Sequence, residues 1–348
     1  MMKRRVVFIL IVLILVLTTA CNRNGGGNVK YIEREPADCD IGIWYSVWYA
    51  YLDEMSNSVQ RNTWNAWDIQ YDVLLPDGTY GKYDSLDEDI IFFHLEQMAD
   101  LGIDFVIMDQ TNHIDVENGY INERALKFAQ CIKEWNDIPE NRPIKYCSAI
   151  GAIQWSNNAA SIEQEAKILW DRYCMQEFGT SDYHYYLDDK PLLIVYGDGG
   201  EELWNNYDGK KTYGEMFTIR YADNGSNPGR YGWAFDKGTQ LHEEVVVVMP
   251  GWNNRKGAPP VMRNQGKWYR EQWEKLLMAE KKPEIVVINS FNEYAENTAI
   301  FPADTSKMTN EIEKWIDENG EISTTMYWKM TKDYIEQLRS GKYKVFEN

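Results

Sequence analysis

Glu293 and Glu296 stand three residues apart in NSFNEYAENTAIFPA (289–303), directly after the apolar run EIVVI. Two carboxylates at the end of a buried strand can divide acid and base work when their surroundings hold their pKa values apart. The same spacing also suits a polar turn in which one Glu is buried and paired while the other meets water. Spacing alone leaves both readings open. Other reactive groups follow apolar runs in the same way: Asp109, Asn112 and His113 in DQTNH, Asp198 in YGDGG, and Trp252 and Arg255 in GWNNR. Asp109 either acts directly, orients Asn112 or caps the next helix. His113 reads as a hydroxyl hydrogen-bonder or a loop-packing residue rather than a general base. Asp198 and Asp236 sit beside Gly or Lys in turn-like contexts and read as surface groups. Arg255 either braces a carboxylate, lowering its pKa, or pairs on the rim.

Several chemistries lack their residues. The chain has four His, no G-x-S-x-G, no GxxxxGK[ST] and no HExxH, so Ser-His-Asp hydrolysis, phosphate-loop chemistry and a paired-His metal site have no support. Neither a metal nor a cofactor is expected. Cys39, Cys131, Cys147 and Cys174 show no C-x-x-C spacing and read as free core thiols. What is abundant is aromatic: 14 Trp and 23 Tyr exceed the needs of one core and suggest faces that stack on flat apolar ligands, as sugar rings are. Carboxylates among aromatic platforms and amides are what glycoside hydrolysis requires, one acid for the leaving oxygen and a second group at the anomeric carbon. On this basis Trp44, Tyr45, Trp48, Tyr83, Asp109, Asn112, His113, Trp155, Tyr196, Trp252, Arg255, Asn292 and Tyr294 are candidates for substrate contact.

The net charge of −18 makes nucleic acid and anionic membrane surfaces poor partners and favours a neutral one. MMKRR, VVFILIVLILVL and TTAC compose a basic region, an apolar core and a small-residue cleavage site, the pattern of a secretory signal over 1–21. Cys21 at its end predicts lipidation and a bacterial envelope lipoprotein, on either the periplasmic or the surface face. The apolar run is short for a membrane span. Residues 22–40, opening NRNGGG after the cysteine, are expected to be a flexible tether, and 41–348 a single catalytic domain.

The elements that must position these residues alternate along that domain. Strands are predicted at 41–49, 104–109, 144–151, 191–197, 216–222, 231–235, 244–251 and 284–291, several of them continuously apolar, as parallel strands covered on both faces are. Amphipathic helices lie between most of them. Ser85 with Glu88 and Ser161 with Gln164 predict capping boxes, Asn122 a further cap, and Gly102 a C-terminal stop. Eight strands alternating with helices, with no glycine-rich dinucleotide turn after the first, predict an α/β fold of one (β/α)₈ TIM barrel. Active sites in such barrels form at the C-terminal strand ends, where the reactive residues above stand.

NSFNEYAENTAI resembles the N-E-W-x-E-G-T-x-I motif of glycoside hydrolase family 99 and its lipopolysaccharide-biosynthesis-associated relatives. YDSLDEDIIFFHLEQMADLGIDFVIM, VVMPGWNNR and RNQGKWYREQW resemble further family segments in the same order, so the likeness spans most of 41–303. It implies a (β/α)₈ retaining enzyme that cleaves α-mannosidic bonds within a glycan; separately, a monomer is expected. It also implies that Glu293 is the base that deprotonates the sugar 2-hydroxyl, giving a 1,2-anhydro sugar, and Glu296 the acid/base on the leaving oxygen and then on water. Aromatic surroundings would raise the pKa of Glu296, whereas Asn292 or a strand-end donor would keep Glu293 ionised. Tyr294, Asn297 and Phe301 replace the family's Trp, Gly and Glu, and leave the substrate open. A related α-glucanase, or a non-catalytic glycan-binding lipoprotein on the same scaffold, are the alternatives.

Overall fold

The computed structural model describes residues 29–50, 63–112, 114, 120–175, 181–222, 231–233 and 241–346. The expected signal sequence, Cys21, His113 and Asp236 lie outside the described residues. Seven strands of the sheet run parallel, in the spatial order Val245–Val248, Ile285–Ile288, Asp40–Ser46, Phe105–Gln110, Lys145–Ile150, Lys190–Tyr196 and Thr218–Ala222. The last predicted strand therefore lies beside the first, Ile288 opposite Ile43, as the curling of a TIM-like barrel requires. The predicted strand at 231–235 is not among them. Residues 231–233 run without strand pairing, and 234–235 lie outside the described residues. Side chains span this seam. Trp233 Nε1 and the Arg220 guanidinium both donate to Glu244, while the Tyr231 ring lies 4.1 Å from the guanidinium carbon.

Each strand divides its side chains between two cores. Trp44, Phe105, Ile107, Cys147, Ala149, Ile194, Val247 and Val287 pack together inside the curled sheet. Their neighbours in sequence, Ile43, Tyr45, Val106, Met108, Val248 and Ile288, pack outward with the helices. Period-two alternation on strands buried at both faces produces this division. Gly42 is required by it: a Cβ there would stand 2.4 Å from the ring of Phe105. Helices Glu88–Leu101, Tyr120–Asn136, Lys267–Met278 and Met326–Ser340 form part of the outer layer.

Helix starts differ from expectation in a consistent way. Asp87, not Ser85, caps Glu88–Leu101, because the Ser85 hydroxyl already accepts the Tyr49 N–H. Asn158 caps Ala159–Leu169, placing Ser161 inside the first turn. Asn122 lies within its helix and donates to the Ile114 carbonyl. Gly102 does end its helix, in the left-handed conformation (φ 81°). The expected tether is also shorter than 22–40, since Val29–Glu33 pairs antiparallel with Lys342–Phe346 near the other end of the chain. Cys39, Cys131 and Cys147 are buried and Cys174 half-buried, all four as free thiols.

A small antiparallel sheet bears on the site. Asp72–Leu74 pairs with Tyr80–Gly81 on one side and with Ala303–Asp304 on the other. The long connection after the first parallel strand is thereby tied to the chain just beyond Glu293 and Glu296.

Candidate active site

Ser46, the last residue of the first parallel strand, lies in register beside Asp109, the last but one of the second, and both share the interior alternation of Trp44 and Ile107. Ser46 meets the loop that follows Ile285–Ile288, while the Asp109 carboxylate accepts the Thr111 amide and hydroxyl. Ser46 Oγ donates to Glu293 Oε2 at 2.9 Å, and the Ala295 and Glu296 amides donate to Glu293 Oε1 at 2.8 and 3.1 Å. Glu293 is thus buried with three donors on its carboxyl, and its own amide donates to Ser290 Oγ. Glu296 is half-buried, and its Oε2 accepts the indole N–H of Trp252 at 3.0 Å. The Asn253 amide donates to the Glu296 carbonyl, so the GWNNR loop holds this residue by backbone and side chain together.

The electrostatics oppose the donors. Burial, reinforced by the charges of Glu296 and Asp109, pushes Glu293 up to about 8 despite the bond from Ser46. Burial also raises Glu296, against the Trp252 bond and the charge of Lys256, and raises Asp109. The expectation that strand-end donors would keep Glu293 ionised is therefore corrected. Donors are present, but burial of the carboxyl together with the charges of Glu296 and Asp109 outweighs them. Near neutral pH such a pair holds a proton, which is the condition for one member to donate while the other accepts.

The loop's other residues are framework. Asn292, fully buried, accepts the Ser46 amide at 2.8 Å and donates to the Ser46 carbonyl at 3.0 Å and to Tyr83 Oη at 2.9 Å. Tyr49 Oη donates to the Asn292 carbonyl and accepts the Tyr294 amide. Asn292, Tyr83 and Tyr294 thus face away from substrate contact. The first two position Ser46, and Tyr294 packs within an aromatic cluster with Tyr49, Trp64 and Tyr71. Tyr45 points outward, stacked on Phe128 at 4.3 Å with its hydroxyl 2.9 Å from His94 Nδ1. Strand alternation places it opposite Trp44. Tyr45→Phe is expected to cost about 1 kcal/mol in thermal unfolding, the usual worth of one hydrogen bond, with turnover within twofold of wild type. A large activity loss at unchanged stability would return Tyr45 to the site.

Of the remaining candidates, Trp44 lies in the interior core one layer below Ser46. Trp48 is buried, stacked on Tyr49 and tilted against the partly exposed Trp67. Tyr196 is partly buried against the interior core, and Asn112 half-buried just past its strand. Trp155 belongs to the short helix Ala152–Ser156 that follows the third parallel strand. Arg255 does brace a carboxylate, but that of Glu313. Its Nε and Nη2 meet Oε1 and Oε2 at 3.0 and 2.7 Å, with Asn253 Nδ2 also on Oε1. Glu313, Ser46, Tyr49 and Asn253 were not legible as site residues. Ser46 alone carried a signal, two places after Trp44 on the same strand face. Among the described residues, no group of His, Cys, Asp and Glu is placed to hold a metal ion.

Solved structures share this architecture. A GH99 endo-α-mannosidase from Bacteroides thetaiotaomicron in complex with BIS-TRIS-propane is 16% identical and superposes with a TM-score of 0.57. The superposition covers 88% of this chain and 99% of that one. The chain shares the fold of this structure. A second structure of a GH99 endo-α-mannosidase from the same organism gives 0.55 at the same identity and coverage. A glycoside hydrolase-like protein gives 0.52 at 14% identity, over 87% of this chain and 96% of the other. No protein-family model matches the sequence, and no curated protein does. The Glu293–Glu296 loop follows the C-terminal end of Ile285–Ile288, the end of the sheet at which a TIM-like fold would place its chemistry.

Proposed function

We propose that this protein is a glycoside hydrolase of family 99-like type that cleaves an α-linked, mannose-containing glycan by a retaining mechanism. One observation carries the reading. Glu293 and Glu296 share one buried loop, with a Glu296 amide on the Glu293 carboxyl and a Trp252 indole on the Glu296 carboxyl. Glu293, buried deepest, is the base toward the sugar 2-hydroxyl. Burial pushes Glu293 up to about 8, so it acts as base in the form of the singly protonated pair whose proton sits on Glu296. In that form its high pKa makes it the stronger base toward a weakly acidic hydroxyl. Glu296, nearer to solvent, protonates the leaving oxygen and then activates water. The name of the solved GH99 endo-α-mannosidases supports mannose as the sugar recognised. The proposal includes a closed (β/α)₈ barrel whose sixth element runs near residues 231–235, and a monomeric enzyme. It includes an N-terminal lipid on Cys21 anchoring the enzyme in the bacterial cell envelope. Among the described residues no helix is long and apolar enough to cross a membrane.

The test is a screen of intact protein against Glu293→Gln over α-mannans, α-glucans and N-glycan fragments, with the active substrate then followed across pH. Wild type should release a reducing end from an α-mannoside, and Glu293→Gln should not. The competent form is the singly protonated pair. Activity should therefore rise as the pair loses its first proton and fall as the second leaves, near pH 8. Hydrolysis of α-glucans alone would move the assignment to a glucanase. Glycan binding without hydrolysis by wild type would replace it with the binding reading.

A further inference from the structure

Arg263 is buried, at 2% exposure, yet its hydrogen bonds run to carbonyls and an amide rather than to a carboxylate. Nε donates to Asn297 Oδ1 at 3.0 Å, and Nη2 donates to the Asn297 and Ala299 carbonyls at 2.9 and 2.8 Å. The guanidinium lies over two rings, 4.4 Å from the Tyr327 centroid and 5.0 Å from that of Trp315. Tyr71 Oη donates to the same Asn297 oxygen. The other buried arginines behave differently: Arg124 pairs with Asp84 and donates to the Tyr49 carbonyl, and Arg220 pairs with Glu244, both ordinary ion pairs. Each of these Arg263 bonds falls on the three residues that follow Glu296.

Those residues form a turn that needs holding. Asn297 has φ 57°, a left-handed conformation that costs a non-glycine side chain energy and persists only where its surroundings fix it. The Thr298 and Ala299 amides return to the Glu293 carbonyl, and Ser290 Oγ meets Thr298 Oγ1. The turn at Asn297 therefore fixes the angle at which the chain leaves Glu296 relative to Glu293. A planar fork with fixed donor directions suits this task, and a lysine ammonium does not reproduce it.

We infer that Arg263 is a positioning residue, orienting Glu296 relative to Glu293 by clamping the left-handed turn at Asn297. The inference deepens the hydrolase reading and rests on it for its activity readout. Arg263→Lys should lower kcat by about 100-fold, the cost of misplacing a reacting group by about an ångström, with KM little changed. The alkaline limb of its pH profile should move to lower pH, because a loosened turn admits water to the two carboxyls. In Arg263→Ala, free guanidinium should restore part of kcat by entering the space between the two rings. Asn297→Gly tolerates the left-handed turn while removing the side-chain acceptor, so it tests the clamp without deleting the buried cation. It should show a smaller loss of kcat and the same direction of limb shift.

Cooperative thermal unfolding identifies the folded variants. A folded Arg263→Lys or Asn297→Gly with wild-type kcat and a wild-type alkaline limb would overturn the inference. If wild type hydrolyses no glycan, the hydrolase reading falls by itself. Titration of the Glu293 and Glu296 carboxyls by carbon NMR then decides the clamp. Altered titration in Arg263→Lys sustains it, and unaltered titration removes it.

Discussion

Glu296→Gln should lower kcat by about a thousandfold while substrate affinity stays within a few-fold of wild type. The amide has the same size, and its oxygen still accepts the Trp252 indole N–H that now meets Oε2 at 3.0 Å. Its backbone bond from Asn253 is untouched. What it lacks is a proton to give to the leaving oxygen, and general acid assistance of this kind is worth about 10²–10⁴-fold. Burial raises the Glu296 pKa, the direction that favours the protonated acid. Single-turnover kinetics on the substrate found by screening, with calorimetric binding to the variant, separates the two quantities. Substrates with activated leaving groups, which need less protonation, should recover much of the loss. Wild-type kcat on an unactivated glycan would sink the assignment of Glu296 as the acid.

The second large effect is on stability. Asn292→Ala should destabilise the chain by roughly 3 kcal/mol, because three hydrogen bonds are lost and their partners remain buried. The Ser46 amide, the Ser46 carbonyl and Tyr83 Oη each lose a partner. Nothing in the described surroundings frees them to reach water, since Ser46 and Tyr83 are both buried. For a chain of 348 residues that corresponds to a fall in Tm of roughly 4 °C. Turnover should fall with it even below the melting range, because the Ser46 hydroxyl that donates to Glu293 rides on the backbone that Asn292 holds. Differential scanning calorimetry and kcat measured well below Tm check the two parts separately. A variant that melts like wild type would show that the amide clamp contributes little. Full turnover in a destabilised variant would detach Ser46 from the chemistry.

These two residues also show where sequence reasoning reached and where it stopped. Glu293 and Glu296 stood out as candidates because the segment that holds them resembles a family motif; their spacing after an apolar run left a polar turn equally open. Asn292 was read as a substrate contact, yet its position between a strand end and a neighbouring strand commits its amide to the backbone. Tyr45, Tyr83 and Tyr294 failed for a related reason. Aromatic content signals stacking surfaces and cores alike, and only the direction of each Cβ separates them. For Tyr45 that direction was available in the sequence, since residues 44 and 45 of one strand must face opposite sides.

The substitutions in the motif became interpretable only in three dimensions. Asn297 stands where the resembled family has Gly, and its positive φ explains why Gly is the common choice there. The same Asn also supplies the acceptor for Tyr71 and Arg263, a function that Gly lacks. Phe301, in place of Glu, stacks on Phe291 at 4.6 Å and packs by its edge against His94. It belongs to the core below the site, rather than to the rim that decides the substrate.

The sequence by itself determined the seven parallel strands and their two-faced burial, though not the short antiparallel pairings, and singled out the carboxylate pair with its likeness to family 99. These follow from local pattern: apolar period, turn residues and motif spacing act over ten or fewer residues. Only the tertiary structure decided which polar groups surround the pair. Ser46 and Asn292 lie 246 positions apart, and Arg255 and Glu313 lie 58 apart. No local pattern encodes which partner a side chain meets across such separations. That choice is made when the sheet curls and brings its first and last strands together, and with it the burial that sets the protonation of Glu293.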